Sequence, residues 1–156
     1  MNEQSKKRLK MAEQLSRSLQ GELGRNLISL VVFGSTARGT AEKESDIDIL
    51  LIVENEKEAR EKYLEIKLKL EKAYSPQFYS IISTEAKLRD NPYILLDMID
   101  DSVVLYDPEK RFQNLISHLR KKLKALGAKR IWIDNDTWYW DLKPDWKPGE
   151  VVEVRL

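Results

Sequence analysis

The chain has no cysteine and a single histidine, His118. Without thiols there are no disulfides and no thiolate zinc sites, and a reducing, cytoplasmic compartment is the expected one. One imidazole cannot build a histidine-clustered metal site. Any metal must therefore be held mainly by oxygen, a donor set that suits Mg²⁺ or Mn²⁺. No apolar run approaches the roughly 20 residues that span a bilayer. The opening MNEQSKKRLKMAEQL also lacks the apolar region of a secretory signal. No membrane association is expected. Charge of one sign is lacking too: the net charge is +1, so no global field recruits nucleic acid or an anionic surface. What remains is one domain's worth of chain, 156 residues, with enough apolar content (42%) for a single core.

Periodicity divides the chain. Leu9, Ala12, Leu15, Leu19 and Leu23 recur at three- and four-residue steps and predict a helix over residues 2–23. The runs NLISLVVF and DIDILLIV are continuous and apolar, as strands buried on both faces are. A helix follows over 57–74, with Ala59, Tyr63, Ile66, Leu70 and Ala73 as its buried stripe. QFYSIIST reads as a third strand, TEAKLRD and YILLDMID as helical, and SVVLYD as a fourth strand. Pro108 is expected in the first turn of a helix that ends at Gly127. Beyond it the texture changes. All four tryptophans, Trp132, Trp138, Trp140 and Trp146, lie here, and RIWIDNDTWYWDL predicts a hairpin, with a final short strand VVEVRL. The expected fold is α/β (α+β), a mixed sheet flanked by helices. A core over 1–107 is followed by an extension over 108–156, packed on that core or on a dimer partner.

The most informative stretch is VVFGSTARGTAEKESDIDILLIV, Val31–Val53. Asp46 and Asp48 stand two apart, so on a strand both point to one face, with Cα atoms roughly 6–7 Å apart. Carboxylates so placed repel unless a cation lies between them, and Mg²⁺ commonly takes one or two carboxylates plus phosphate oxygens. Gly34 and Ser35 follow a buried strand. Glycine allows close backbone approach to a phosphate, free N–H groups at a helix start attract anions, and the Ser35 hydroxyl can donate. Arg38 can clamp a phosphate. Ser45 precedes the aspartates. Neither a GxxxxGK[ST] loop nor a GxGxxG fingerprint is present.

Gly34-Ser35, ten intervening residues and then Asp46-Ile47-Asp48 resemble the signature of the DNA polymerase β-like nucleotidyltransferase superfamily. With Arg38-Gly39 and Ser45 the stretch is most similar to its small branch, the minimal nucleotidyltransferases, over roughly residues 5–107. The resemblance implies that Gly34 and Ser35 contact a triphosphate and that Asp46 and Asp48 hold divalent metal. It implies attack of a hydroxyl on the α-phosphate of an NTP, with ATP the expected donor and AMP the transferred group. It also implies an acceptor on a partner protein of the HEPN toxin type. The family carries a third carboxylate on the strand after the second helix. QFYSIIST has none there, and Gln77, Tyr79 or Ser80 stands in its place. Asp97, Asp100 and Asp101 are the acids that could substitute.

Plainer readings accompany these. The aspartates could be a solvated strand entry, and Ser35 a helix cap. The basic run HLRKKLKALGAKR is read as the wet face of a helix, and Asp134-Asn135-Asp136 as a hairpin turn. The tryptophans are read as core or interface rather than a base-stacking platform. An antitoxin-like binding module with a weakened site is the alternative to the enzyme. Transfer to a small molecule or to RNA is the third reading.

Overall fold

The two longest apolar runs form the centre of the molecule. The structure is a computed structural model that describes residues 1–73 and 76–156, with the backbone alone at Ala73. In chain order its elements are α1 (Glu3–Leu23), β1 (Leu27–Phe33), α2 (Gly34–Arg38), β2 (Ile47–Val53), α3 (Glu56–Ala73) and β3 (Phe78–Ser83). Then follow α4 (Glu85–Asp90), β4 (Val103–Tyr106), α5 (Arg111–Leu126), β5 (Lys129–Trp132) and β6 (Trp138–Asp141). Every residue of β1 is buried, and every residue of β2 except Asp48. The main sheet runs β3-β2-β1-β4. β1 is antiparallel to both of its neighbours, and β2 and β3 are parallel.

A sheet apolar on both sides needs cover on both sides. α1 and α3 cover one face, where Ala12, Leu15, Leu19, Ala59 and Tyr63 meet Ile47, Ile49 and Leu51. The other face carries α5, α4 and a 3₁₀ turn, Tyr93–Asp97, with Phe112, Leu115, Leu119 and Leu95 against Val31, Leu50 and Ile52. A bulge adjusts β1 to this arrangement. From Leu27 to Ser29 it advances two residues while β2 goes only from Val53 to Ile52. Parity switches there: Leu27, Leu30 and Val32 face α1 and α3, whereas Ile28, Val31 and Phe33 face α5.

The expected mixed sheet flanked by helices is present, and so is the hairpin, β5 with β6. Three expectations are corrected. VVEVRL is not a strand: it runs as irregular chain, burying Val154 and donating its Leu156 N–H to the Arg89 carbonyl (2.9 Å). Pro108 is outside α5, which begins at Arg111. The Asp107 carboxylate reaches forward to accept from the N–H groups of Phe112 and Gln113 (both 3.1 Å), satisfying donors at the helix start from a distance. YILLDMID forms only a 3₁₀ turn. Tyr74, where the helix over 57–74 was expected to close, and the side chain of Ala73 lie outside the described residues. No helix among the described residues is long and apolar enough to cross a membrane.

The start of the chain clamps the segment between α2 and β2. Asn2 caps α1, its side-chain oxygen accepting from Ser5 N–H (2.9 Å), and its amide donates to the Ala41 carbonyl (3.0 Å). Ser5 Oγ accepts from Ala41 N–H (3.0 Å). Arg8 is 1% exposed. Its guanidinium donates from Nε to the Ser45 carbonyl (3.0 Å), from Nη2 to the Lys43 carbonyl (2.9 Å) and from Nη1 to Gln4 Oε1 (2.7 Å). A buried cation satisfied by carbonyls alone holds the approach to Asp46. Removing it strips the part-buried Ser45 and Lys43 carbonyls of their donors and takes away a packed side chain. Arg8→Met is therefore expected to lower unfolding free energy by about 3 kcal/mol, read as a lowered urea midpoint at unchanged slope. Arg8→Lys should recover little, because an ammonium cannot span carbonyls that a planar fork reaches together.

Candidate functional site

The last rung of the β1–β2 ladder sets Phe33 opposite Asp48. The next residue, Gly34, opens α2 with φ +68°, a left-handed conformation that side chains resist. A Cβ built on Gly34 would lie 2.1 Å from Asp48 Oδ2, so the carboxylate rests directly against the glycine backbone. Ser35 and Arg38 follow on α2, and Gly39 ends the helix at φ +79°. With five residues α2 has little macrodipole, so what it offers a ligand is individual first-turn N–H groups.

Ser35, Arg38, Thr40, Glu42 and Ser45 line one open cleft of about 320 Å³, together with Asp136 from the β5–β6 turn. Ser45 Oγ accepts from Glu42 N–H (2.8 Å), leaving its own O–H free. Asp46 is exposed and borders the neighbouring cleft with Lys43 and Gln77, while Asp48 is half-buried. Burial pushes the Asp48 carboxyl above its ordinary value, the charge of Asp46 adds to that rise, Arg38 opposes it, and Asp97 adds a little more. Two acids that repel, beside polar groups suited to phosphate, are a donor set that fits a divalent cation shared with phosphate oxygens. Among the described residues no three acidic or histidine side chains converge to hold a metal without a ligand's help.

Of the three residues considered in place of a third carboxylate, Gln77 borders the cleft of Asp46, and Tyr79 and Ser80 lie on opposite faces of β3. Tyr79 pairs with Asp48 in the parallel register, and residues paired this way point to the same face. Its side chain is 59% exposed. Ser80 faces the other side, in close hydrogen-bond contact with the Tyr63 hydroxyl, whose pKa is pushed up to about 12 by burial, against the effect of that bond. Asp97 comes near enough for its charge to act on Asp48. Asp100 and Asp101 are committed to Arg130 (3.2 and 3.0 Å).

Sequence reasoning missed Arg8 and the hairpin's position beside α2, and it left Asp97 unseparated from Asp100 and Asp101. Arg8 left a signal, since it falls in register with Ala12, Leu15 and Leu19 on the apolar stripe of α1. A charge on that stripe must meet partners inside. The other two depend on how distant segments pack and left none.

A family model for the nucleotidyltransferase domain matches residues 12–135. A candidate protein adenylyltransferase of Methanocaldococcus jannaschii is 26% identical over 137 residues, 84% of this chain and 87% of that one. Among solved structures, a toxin–antitoxin crystallised with AMP-PNP has a TM-score of 0.50 at 20% identity, covering 72% of this chain and 93% of its own. A mutant of the MntA–HpeT toxin–antitoxin has a TM-score of 0.50 at 19% identity, with the same coverage. These two bear on the fold.

Gly34 and Gly127 share a left-handed φ, +68° and +69°, but a Cβ on Gly127 meets nothing within 4 Å. Gly127→Ala should show only the backbone strain, about 1–2 kcal/mol, whereas Gly34→Ala should cost more and displace Asp48, as denaturation and a crystal structure of each would show. Asp48 supplies a second test. A carboxyl raised in the folded state keeps its proton there longer than in the unfolded chain, so stability falls as pH rises from the ordinary 3.8 through the raised value. Asp48→Asn should match the wild type at acid pH and become the more stable of the two above that window, in thermal melts without added metal.

Proposed function

Because the chain belongs to the nucleotidyltransferase domain family, we propose that it transfers the nucleoside monophosphate of an NTP, AMP from ATP, to a hydroxyl on a partner protein. The observation that carries this reading is the Asp48 carboxylate lying against the Gly34 backbone with Asp46 two residues away. Gly34 and Ser35 would take the triphosphate through backbone N–H and hydroxyl donors. Arg38 would clamp a phosphate oxygen, and Ser45 would hold the turn into the aspartates with its hydroxyl free to donate. Asp46 and Asp48 would hold Mg²⁺ or Mn²⁺. When bound, such a cation neutralises phosphate charge and polarises the phosphoryl group. The acceptor oxygen bonds to the α-phosphorus, the bond to pyrophosphate breaks, and the acceptor's proton is released. Positioning and charge compensation supply the rate.

A protein acceptor is supported by the name of the archaeal relative, which shares most of its length with this chain. A helical partner of the HEPN toxin type follows from the resemblance of the GSTARG…SDID stretch to minimal nucleotidyltransferases. The fold shared with toxin–antitoxin proteins agrees with it. One observation favours the second reading, an antitoxin-like module that acts by contact. Tyr79, not an acid, stands beside Asp48 on β3. The half of the site that grips nucleotide is then fuller than the half that activates a nucleophile.

Calorimetric titration of ATP and the other NTPs, with and without Mg²⁺, separates these outcomes. The wild type should bind ATP only with metal, and Asp46→Asn and Asp48→Asn should each abolish that binding while melting cooperatively. Metal-independent binding, or binding unchanged in both variants, would sink the assignment. Metal-dependent binding without transfer to a co-expressed HEPN-type partner would select the contact-acting reading.

A further inference from the structure

The β5–β6 hairpin is tied to α2 through aromatic rings. One face carries Arg130, Trp132, Trp138 and Trp140, with Trp132 paired to Trp138 and Arg130 to Trp140. Arg130 is the anchor. It is ion-paired to Asp100 and Asp101, and its guanidinium lies over Trp132 at 4.4 Å and over Trp138 at 4.2 Å from the ring centroids. The two rings are 5.1 Å apart. The Trp138 ring also carries the guanidinium of Arg38, 4.8 Å from its centroid. Residues from the end of α2 and from the C-terminal hairpin thus meet at the rim of the cleft, with Asp136 of the hairpin turn forming part of its wall.

Arg38 has no ion pair and no hydrogen bond among the described side chains, and it lines the same cleft as Ser35 and Ser45. It sits at the end of a five-residue helix, followed by a left-handed glycine. A long side chain so placed is mobile unless something fixes it, and here the indole does. Stacking uses the guanidinium's face and leaves its N–H donors unspent around the edge. Those donors suit phosphate oxygens. The same cleft holds Glu42 and Asp136, which disfavour a bare anion and suit a triphosphate that enters with its cation.

We propose that Trp138 is a positioning residue that holds Arg38 at the mouth of the cleft as a preset clamp for a metal-bound nucleoside triphosphate, making the aromatic hairpin part of the nucleotide site. This rests on the nucleotide-binding reading above. It gives the tryptophan-rich segment a task beyond packing, and it assigns Arg130 and its two aspartates to keeping the ring in place.

The test is a double-mutant cycle on the full chain, with the dissociation constant of Mg·ATP read by calorimetry for the wild type, Trp138→Ala, Arg38→Ala and the double variant. Trp138→Ala should weaken binding about tenfold, in keeping with a half-buried cation–π contact. Trp138→Phe, which keeps a ring, should restore most of the affinity. In the Arg38→Ala background the Trp138→Ala change should add nothing. Trp138→Leu serves as a second truncation that keeps bulk at the hairpin, and near-ultraviolet circular dichroism checks that the remaining tryptophans stay packed. In the nucleotide-free wild type the Arg38 Nε–H resonance should be shifted upfield by the indole ring current and return to its usual position in Trp138→Leu. Wild-type affinity in both truncations, or an equal loss with and without Arg38, overturns the positioning role while the nucleotide reading stands. No binding by the wild type overturns both.

Discussion

The β1–β2 ladder closes on Phe33 opposite Asp48, and that rung decides what can meet at the open end of the sheet. Because β1 leads directly into Gly34, the glycine is brought under the carboxylate of the neighbouring strand with no room for a side chain between them. Moving the register by one residue would turn Asp48 to the α1 and α3 face and Ile49 to the open one. The bulge between Leu27 and Ser29 lets β1 reach this rung with the right face. It changes parity early in the strand, so that Val31 and Phe33 complete the apolar side under α5.

Holding two carboxylates near one another costs stability that the surroundings must offset. Asp48 is pushed up by burial and by Asp46, and only Arg38 opposes this directly. The compensation is mechanical as well as electrostatic. Asn2, Ser5 and Arg8 bind the carbonyls and amides of residues 41–45, so the segment entering β2 cannot swing outward to relieve the repulsion. A site kept unfavourable without its ligand is one that a cation can improve, since ligand binding recovers what the empty geometry gives up.

How much was legible in the sequence follows from how local each feature is. Continuous apolar runs announced β1 and β2, whereas Asp46, expected on the same strand face as Asp48, lies one residue before β2 and borders the neighbouring cleft. Such runs depend on neighbours in the chain. The Gly34-Ser35 pair was singled out by its place after a buried strand and by its resemblance to the nucleotidyltransferase signature. Arg8 was half legible, as a charge on an apolar stripe whose carbonyl partners lie over thirty residues away. The final VVEVRL alternates like a strand, yet no edge of either sheet receives it, and it instead fills a gap between Arg89 and Tyr93. Propensity gave way to available partners. Pro108 failed as a helix start because Asp107 supplies its cap from outside, across a left-handed Lys110. Asp97 was named with Asp100 and Asp101 as a possible substitute acid, but nothing in the sequence separated them, and Trp138 was illegible as a neighbour of Arg38, since only tertiary packing brings them together.

The hairpin also bears on the missing third acid. Asp46 and Asp48 together offer two negative charges, enough to balance one divalent cation. A triphosphate that brings its own cation would add further negative charge, and Arg38 is a cation that lines the cleft. With a tyrosine beside Asp48, a second metal ion would find fewer protein oxygens than the first. In the proposed nucleotide complex, charge compensation would then fall on the guanidinium. A guanidinium helps only if it is held where the phosphate arrives, because an untethered one would lose rotamer freedom on binding and return less of its attraction as affinity. Stacking on Trp138 removes that freedom beforehand. The aromatic segment, far from the motif in sequence, thereby stands where a chain with fewer carboxylates has most need of a fixed positive charge.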